Sequence, residues 1–327
     1  MEATRIMQNI CEYLREESIN KILGLETMKK CWPIWQPEIN KRIVPLNASN
    51  IINLGDKLQE IFRTTGQQGR SQSDVSSGGT AWESLVCWYL NLCLIGSRTV
   101  VFKQQKALLP EPNKQAITVW YGNFPSNTES DLIAITFPDK SDYLIDKFSI
   151  LIENDQGISI NTNQKKKFNY KEIVDALVAQ DFPLYQVGII QCKTNWNDNA
   201  QIPMLWDMIY SSTGFKRDVI KVGSSEYSIN SLKKFTYSFV TVPTSSSFGE
   251  HIKSNATAVN RVHNLSGGNY WGLPTKASIS KSIKEILGDQ FSSGSTGGIK
   301  YTLTNALPDM DTKYSYLSIN NNLNENV

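Results

Sequence analysis

Two stretches of the sequence place chemically capable side chains beside apolar runs. The stretch GIIQCKTNWND ends its apolar run with Gln191, Cys192 and Lys193, and Asp131 begins another apolar run in ESDLIAITFP. Both runs have the composition of β-strands, in which successive side chains point to opposite faces. Gln191 and Lys193 are therefore expected on one face and Cys192 on the other. If the two strands are neighbours, a carboxylate, an amide oxygen and a lysine can share one site.

This set of groups suits a hard divalent cation. Mg²⁺ prefers oxygen ligands and is usually held by one or two carboxylates with water in the remaining positions. Asp131 is the expected anchoring ligand, the Gln191 side-chain oxygen a second and the backbone carbonyl of Cys192 a third. Lys193 is then placed to orient or deprotonate an attacking water and to offset the charge that develops when a phosphodiester is hydrolysed.

These residues resemble the active site of the PD-(D/E)xK nuclease superfamily, which includes most type II restriction endonucleases. Asp131 matches the first acid of the motif, and Gln191-Cys192-Lys193 is similar to the Gln-x-Lys variant of the methyl-directed, Mrr-like branch. The resemblance covers roughly residues 78–245. It implies a Mg²⁺-dependent, sequence-specific endonuclease acting on double-stranded DNA. A helix before the sheet often supplies a glutamate to the metal in this superfamily, and the matching residue is Glu83.

The sequence also departs from the superfamily pattern. Ser130 stands where the motif has proline, and Gln191 replaces an acid, which removes one negative charge. The long step from Asp131 to Gln191 implies an insertion at about 139–183.

Two of the candidate acids have alternative interpretations. The long spacing leaves Glu153 or Asp155, in FSILIENDQG, as a rival to Asp131 for the anchoring position. Glu83 fits a capping box, in which Thr80 caps a helix and Glu83 is its third residue. The capping role and the metal role of Glu83 are compatible with each other.

Several polar side chains are candidates for contacts with DNA. Asn and Gln read adenine edges, whereas Lys and Arg read guanine or bind phosphate. The candidates follow the Gln-x-Lys motif, form a basic patch in the insertion, or lie in the polar loop 64–79 and the long segment 244–275. They are Asn195, Asn197, Gln201, Lys165, Lys166, Lys167, Lys253, Asn255, Arg261, His263, Asn264 and Arg70. A helix cap at Asp198 or Asn199 and a solvated lysine run are the simpler interpretations of two of these stretches.

Composition and motifs exclude several classes of protein. The 327 residues include 33 Lys and Arg and 31 Asp and Glu, so the net charge of +2 leaves any nucleic-acid surface local. We find no phosphate loop, dinucleotide-binding glycine motif or zinc-protease motif. With only His251 and His263, a three-histidine metal site is excluded. An HNH-type nuclease built on these histidines is disfavoured, because the glycine-rich SGGNYWG that follows is unlike that motif's helix.

Cysteine usage and the N-terminus indicate the compartment. The five cysteines are scattered and odd in number, without a CxxC pair, which favours a reducing environment. The N-terminal stretch is charged and amphipathic, unlike a secretory signal. No apolar run is long enough for a membrane span. We therefore expect a cytoplasmic protein.

Hydrophobic periodicity predicts the elements that must position the site. Residues 1–62 have a helical pattern, and further helices are predicted at 80–96, 170–180, 199–211 and 277–291. Strands are predicted at 98–103, 116–122, 131–138, 148–154, 187–193 and 236–243.

This order predicts an α/β fold with a restriction-endonuclease-like core, in which helices flank a central mixed β-sheet. A helical N-terminal region with a mobile loop would occupy 1–77, and the nuclease core 78–245. A loop-rich segment for DNA recognition and dimerisation, with a C-terminal helix, would occupy 246–327 as part of the same domain.

The resemblance also implies partners. A palindromic DNA site favours a homodimer, since protein symmetry mirrors site symmetry. A cognate DNA methyltransferase is expected in the same system, without direct contact. Two other functions stay open, namely a modification-dependent, Mrr-like nuclease and a non-cleaving DNA-binding protein with a degenerate nuclease fold.

Overall fold

A computed structural model describes residues 7–66, 75–103, 107–126, 130–165, 167–194, 200–211, 219–242, 252–275 and 278–319. The helices in these ranges are α1 (Ile10–Leu23), α2 (Glu26–Ile43), α3 (Ala48–Asn53), α4 (Leu58–Gly66), α5 (Val75–Cys93), α6 (Glu111–Ile117), α7 (Tyr170–Asp181), α8 (Gln201–Ser211), α9 (Thr257–His263), α10 (Glu285–Phe291) and α11 (Ile299–Ala306). The strands are β1 (Thr99–Lys103), β2 (Val119–Tyr121), β3 (Phe124–Ser126), β4 (Leu132–Thr136), β5 (Asn163–Gln164), β6 (Lys167–Phe168), β7 (Gln186–Lys193), β8 (Ile220–Val222), β9 (Lys234–Thr241), β10 (Asn269–Trp271) and β11 (Lys281–Ser282).

A six-stranded mixed sheet forms the centre, in the order β1-β4-β7-β9-β10-β11. The pairs β1–β4 and β4–β7 are antiparallel, whereas β7–β9, β9–β10 and β10–β11 are parallel. Every residue of β4 is buried, as are the six inner residues of β7. Such continuous burial is typical of strands covered on both faces. The predicted α/β fold with a central mixed sheet flanked by helices is therefore confirmed.

The two faces of the sheet belong to different hydrophobic cores. One core packs Ala134 and Ile190 against helix α5, whose buried Trp82 and Leu85 belong to it. The other core contains Ile133 and Ile189 together with side chains of α1, α6 and α7. Residues of opposite parity on the same strand thus enter different cores, as strand alternation requires.

Two predicted elements were wrong. The predicted strand 148–154 is a short 3₁₀ turn, Lys147–Ser149, followed by one isolated bridge from Glu153 to Ser159. Ile150 and Ile152 are nevertheless buried in the core that contains Ile133 and Ile189, whereas Leu151 between them is 88% exposed. The predicted helix 277–291 begins only at Glu285, because the chain before it forms β11 against β10.

Other boundaries also differ from those predicted. Helix α5 begins at Val75 and α4 reaches Gly66, so the polar loop predicted at 64–79 is shorter, with 67–74 outside the described residues. The segment expected to be a long loop contains α9 and β10 between residues 252 and 275. Helix α11, at Ile299–Ala306, was not predicted.

The cysteines and the helices bear on the expected environment. All five cysteines are buried, and none of them forms a disulfide bond. Within the described ranges, no helix combines the length and the apolar character that crossing a membrane requires.

Helix α8 is tied to the chain after α9 by Asp207, whose carboxylate accepts a hydrogen bond of 2.6 Å from the Ser266 hydroxyl. Burial raises the pKa of Asp207 although the bonds from Ser266 act in the opposite direction. Because its pKa is raised in the folded state, protonated Asp207 stabilises the fold at low pH. This contribution is lost as the pH rises through the folded-state pKa of Asp207.

We therefore expect Asp207→Asn to gain stability over the wild type as pH rises from about 4, near the ordinary Asp pKa, toward neutrality. Urea unfolding of both proteins between these pH values measures the difference. A difference that stays constant or shrinks with rising pH contradicts the assignment.

Candidate active site

Asp131 and Lys193 lie together at one edge of the central sheet. Strands β4 and β7 pair so that Leu132 lies opposite Ile190, which places Asp131 opposite Gln191. The Lys193 Nζ is 3.9 Å from the Asp131 Oδ2. The backbone N–H of Cys192 donates to the same carboxylate oxygen at 2.7 Å. The acid therefore fixes the end of β7 and has the lysine beside it.

Gln191 lies beneath this edge and is fully buried, with 0% exposure, whereas the side chains of Asp131 and Lys193 are 14% and 24% exposed. Its Oε1, the predicted metal ligand, accepts a 2.8 Å hydrogen bond from the hydroxyl of Tyr237 on β9. The Tyr237 ring packs on that of Tyr210, with centroids 5.8 Å apart. The amide oxygen is thus held in one orientation below the carboxylate.

Cys192 faces the other side of the sheet, as predicted, in the core shared with α5. Burial raises the pKa of its thiol well above the usual value; Asp131 and then Glu83 raise it further, while Lys103 and Lys193 lower it. A thiol in such surroundings stays protonated and unreactive. The backbone of Cys192, and not its sulfur, is therefore the part that can take part in chemistry.

Glu83 has a partner that the sequence did not indicate. Its Oε2 is 2.5 Å from the Nζ of Lys103, the last residue of β1. The same ammonium donates to the carbonyl of Thr80 at 3.2 Å. Thr80 lies within α5, which begins at Val75, so the predicted capping box is wrong. Lys103 ends an apolar strand just as Lys193 does. This shared position is the signal in the sequence that could have identified Lys103 as a residue near the site.

Strand β4 lies between β1 and β7, which brings these groups to one edge of the sheet. Lys103 on β1 pairs with Leu132, next to Asp131, and β7 brings Lys193 from the other side. The pairs Asp131–Lys193 and Glu83–Lys103 therefore lie at the same end of the paired strands, and all four charged groups act on the thiol of Cys192.

The rival anchors Glu153 and Asp155 lie elsewhere. Both are exposed, and Glu153 forms its bridge with Ser159 outside the six-stranded sheet. The structure brings neither onto β4 or β7.

The candidate DNA contacts fall into separate groups. Gln201 is the exposed first residue of α8. Helix α9, which packs against α8, carries Arg261 and His263 and is followed by the exposed Asn264. The remaining candidates before α9, both exposed, are Lys253 and Asn255.

A second group lies on the hairpin formed by β5 and β6. Lys165 sits in its turn with φ +51°, in the left-handed region, and Lys167 begins β6. Both are exposed. Asn195, Asn197, Lys166 and Arg70, like His251 of the HNH alternative, lie outside the described residues.

The donor set at the Asp131 edge consists of oxygen atoms, which suits Mg²⁺ rather than a soft metal. In the part of the chain that the structure describes, no group of three or more His, Cys, Asp or Glu is arranged to hold a metal. A cation here would therefore rely on Asp131 together with the Gln191 amide oxygen and the Cys192 carbonyl.

The chain matches no protein-family model and no curated protein. The geometry at the Asp131 edge is therefore the main guide to what this protein does.

Proposed function

We propose that this protein is a Mg²⁺-dependent endonuclease that hydrolyses phosphodiester bonds in double-stranded DNA, with a restriction-endonuclease-like core. The observation that carries this proposal is the meeting of Asp131 and Lys193, 3.9 Å apart, at the edge where β4 begins and β7 ends. The acid at the start of β4 and the lysine at the end of β7 meet at one point, with Gln191 and the Cys192 backbone beside them. The mixed sheet flanked by helices is consistent with this proposal.

Asp131, the Gln191 oxygen and the Cys192 carbonyl would hold the cation. When bound, Mg²⁺ supplies charge stabilisation at the phosphate and lowers the pKa of a water molecule. Lys193 orients the attacking water, or takes up its proton, and offsets the negative charge that develops on the phosphate. Asp131 has a second task, because its bond to the Cys192 N–H keeps Lys193 in register with it.

Recognition of DNA would fall to the polar residues around α8 and α9, with phosphate contacts from the hairpin lysines. Gln201, Arg261, His263, Lys165 and Lys167 are the described side chains that fit these roles best. A type II restriction enzyme in the cytoplasm, acting as a homodimer on a palindromic site beside a cognate methyltransferase, is the form of this function that we favour.

Plasmid DNA incubated with the purified protein and Mg²⁺ tests the proposal. Discrete fragments, absent when EDTA replaces Mg²⁺, support a site-specific nuclease. Fragments only from methylated plasmid support the modification-dependent alternative. A smear indicates a nonspecific nuclease, and a gel shift without cleavage indicates a DNA-binding protein with a degenerate fold.

Gln191→Glu tests the amide oxygen as a ligand. If this oxygen binds the cation, a carboxylate at the same place should raise Mn²⁺ affinity by roughly tenfold, because ligand charge tunes cation affinity. Gln186→Glu is the matched control, since Gln186 begins the same strand and lies at the opposite edge of the sheet. Isothermal titration with Mn²⁺ gives both affinities. Equal affinities for the two folded variants would exclude Gln191 from the metal site.

A further inference from the structure

A cavity of about 580 Å³ lies where β10 and β11 begin. The residues that line it include Asn269, the first residue of β10, Ser280, which directly precedes β11, and Gln290 near the end of α10. We propose that this cavity binds a nucleobase that carries an amino group, such as cytosine or adenine. The residues that carry this inference lie outside the Asp131 edge, so it does not rest on the proposed nuclease function.

Each of these three residues has a buried side-chain oxygen that lacks a hydrogen-bond partner within the described part of the chain. The atoms are the Asn269 Oδ1, the Ser280 Oγ and the Gln290 Oε1. The whole Asn269 residue is only 7% exposed. A buried acceptor without a partner costs free energy, and a bound molecule that supplies a donor removes that cost.

The two amides are oriented by their nitrogen atoms. The Asn269 Nδ2 donates to the carbonyl of Ile279 at 3.3 Å, and the Gln290 Nε2 donates to the carbonyl of Gly267 at 3.0 Å. A carbonyl oxygen can only accept, so the nitrogen of each amide must face it and the oxygen is the end left for a ligand. The ligand must therefore supply donors. An amino group has two N–H donors on one nitrogen and can pair with two acceptors at once.

Strand pairing places two of the acceptors side by side. Strands β10 and β11 are parallel, with Tyr270 beside Lys281, and Asn269 and Ser280 each lie one residue before this pair. Neighbouring strands are about 4.8 Å apart, and laterally adjacent residues of a sheet share a face. One amino group can therefore reach both Asn269 and Ser280.

The charge and the volume of the cavity limit the ligand further. Lys281 and Asp289, which both line it, pair at 2.8 Å, and the Tyr270 hydroxyl donates to the same carboxylate oxygen at 3.1 Å. Because these opposite charges cancel, a neutral ligand suits the cavity better than a phosphate or a carboxylate. Leu265 and Ile279 add apolar surface for a planar ring, and the volume lies within the range of small-molecule sites.

Titration of the full chain with cytidine, uridine, adenosine and inosine tests this inference. In each pair an oxo group replaces the amino group, so an acceptor would meet the acceptors of the protein. Cytidine should bind at least about fivefold more tightly than uridine, and adenosine more tightly than inosine by a similar factor. Isothermal titration calorimetry gives all four affinities without DNA or a metal ion.

Variants of the lining residues test the contacts. Ser280→Ala removes only an oxygen without a partner, so it should fold like the wild type and weaken cytidine binding by about threefold or more. Gln290→Met, which also loses the bond to Gly267, should weaken it by about tenfold. Ser295→Ala is the matched control, because the Ser295 Oγ is likewise buried without a partner but does not line the cavity. It should leave cytidine binding unchanged.

The source of the base follows from single-stranded oligonucleotides of deoxycytidine and of deoxyuridine. A preference for deoxycytidine that Ser280→Ala removes identifies a base within a nucleic acid as the ligand, whereas a preference among the nucleosides alone identifies a free nucleoside. Equal affinities for cytidine and uridine, or binding of none of the four nucleosides, would overturn the inference. Wild-type cytidine affinity in both Ser280→Ala and Gln290→Met would also overturn it. In each of these cases the nuclease proposal is unaffected.

Discussion

Asp131→Asn and Lys193→Met are each expected to slow cleavage of DNA by about 10²-fold or more, because each removes a charge from the reacting centre. Asparagine keeps an oxygen that can still accept the Cys192 N–H, the bond that measures 2.7 Å in the wild type. Methionine keeps most of the lysine stem. Both variants should therefore fold, and the loss should lie in the chemical step.

Two measurements separate chemistry from binding. Cleavage is followed in Mg²⁺, and DNA affinity is measured in Ca²⁺, which occupies oxygen sites without supporting the reaction. Both variants should bind DNA in Ca²⁺ within a few-fold of the wild type, since surface contacts to phosphate carry most of the affinity.

The control is Asp139→Asn, which removes an acid from the pair with Arg98, 3.3 Å apart, just beyond the opposite end of β4. It should cut at the wild-type rate. Normal cleavage by Asp131→Asn would show that Asp131 is not the carboxylate that anchors the cation. Glu153→Gln would then be the next variant to measure.

The strands of the site could be predicted from the sequence because their side chains alternate between two buried faces. The sequence therefore placed Gln191 and Lys193 on one face and Cys192 on the other, and the structure agrees, with Cys192 in the α5-side core and Ile189 in the opposite one. Asp131 at the start of its strand followed from the same reasoning. Antiparallel pairing of β4 and β7 then brings the two ends together.

Contacts across elements could not be predicted in the same way. The bond from Tyr237 to Gln191 depends on β9 lying next to β7, and the bond from Lys103 to Glu83 depends on how α5 packs over β1. Neither hydrogen bond can be predicted from the spacing of residues within a single helix or strand.

The start of α5 differs from the prediction for a related reason. Gly78 and Gly79 have poor helix propensity, so the sequence predicts a helix that begins at Thr80. The helix nevertheless begins at Val75, and the turns that follow bury Ala81, Trp82 and Leu85. Tertiary packing outweighs local propensity at this end of the helix, and the capping-box interpretation of Glu83 failed with it.

Arg15→Met is expected to have the largest effect on stability, a loss of about 3–5 kcal/mol in the free energy of unfolding. Arg15, on α1, is fully buried, and its guanidinium donates to the carbonyls of Ser97 and Thr99 at 2.7 Å and 2.9 Å. It also pairs with Glu12, at 3.2 Å, whose other oxygen accepts the Gly96 N–H. This network joins α1 to the turn that leads into β1.

The free-energy cost arises mainly from what Arg15 leaves behind. Removing the guanidinium leaves the Glu12 carboxylate, which is 2% exposed, without the positive charge of Arg15. It also leaves the two buried carbonyls of Ser97 and Thr99 without this donor. Arg42→Met is the control, because its partner Glu38 is partly exposed and such pairs contribute about 1 kcal/mol or less. Urea unfolding of both variants measures the difference.

The double variant Arg15→Met/Glu12→Gln decides the cause. If the unpaired Glu12 carboxylate is the main cause, replacing Glu12 by its neutral amide should recover a substantial part of the lost free energy of unfolding. The amide oxygen can still accept the Gly96 N–H. If the double variant is as unstable as Arg15→Met, the carbonyls of Ser97 and Thr99 account for the loss. Thr99 begins β1 and Lys103 ends it, so this network also anchors the strand that carries Lys103 to the candidate active site.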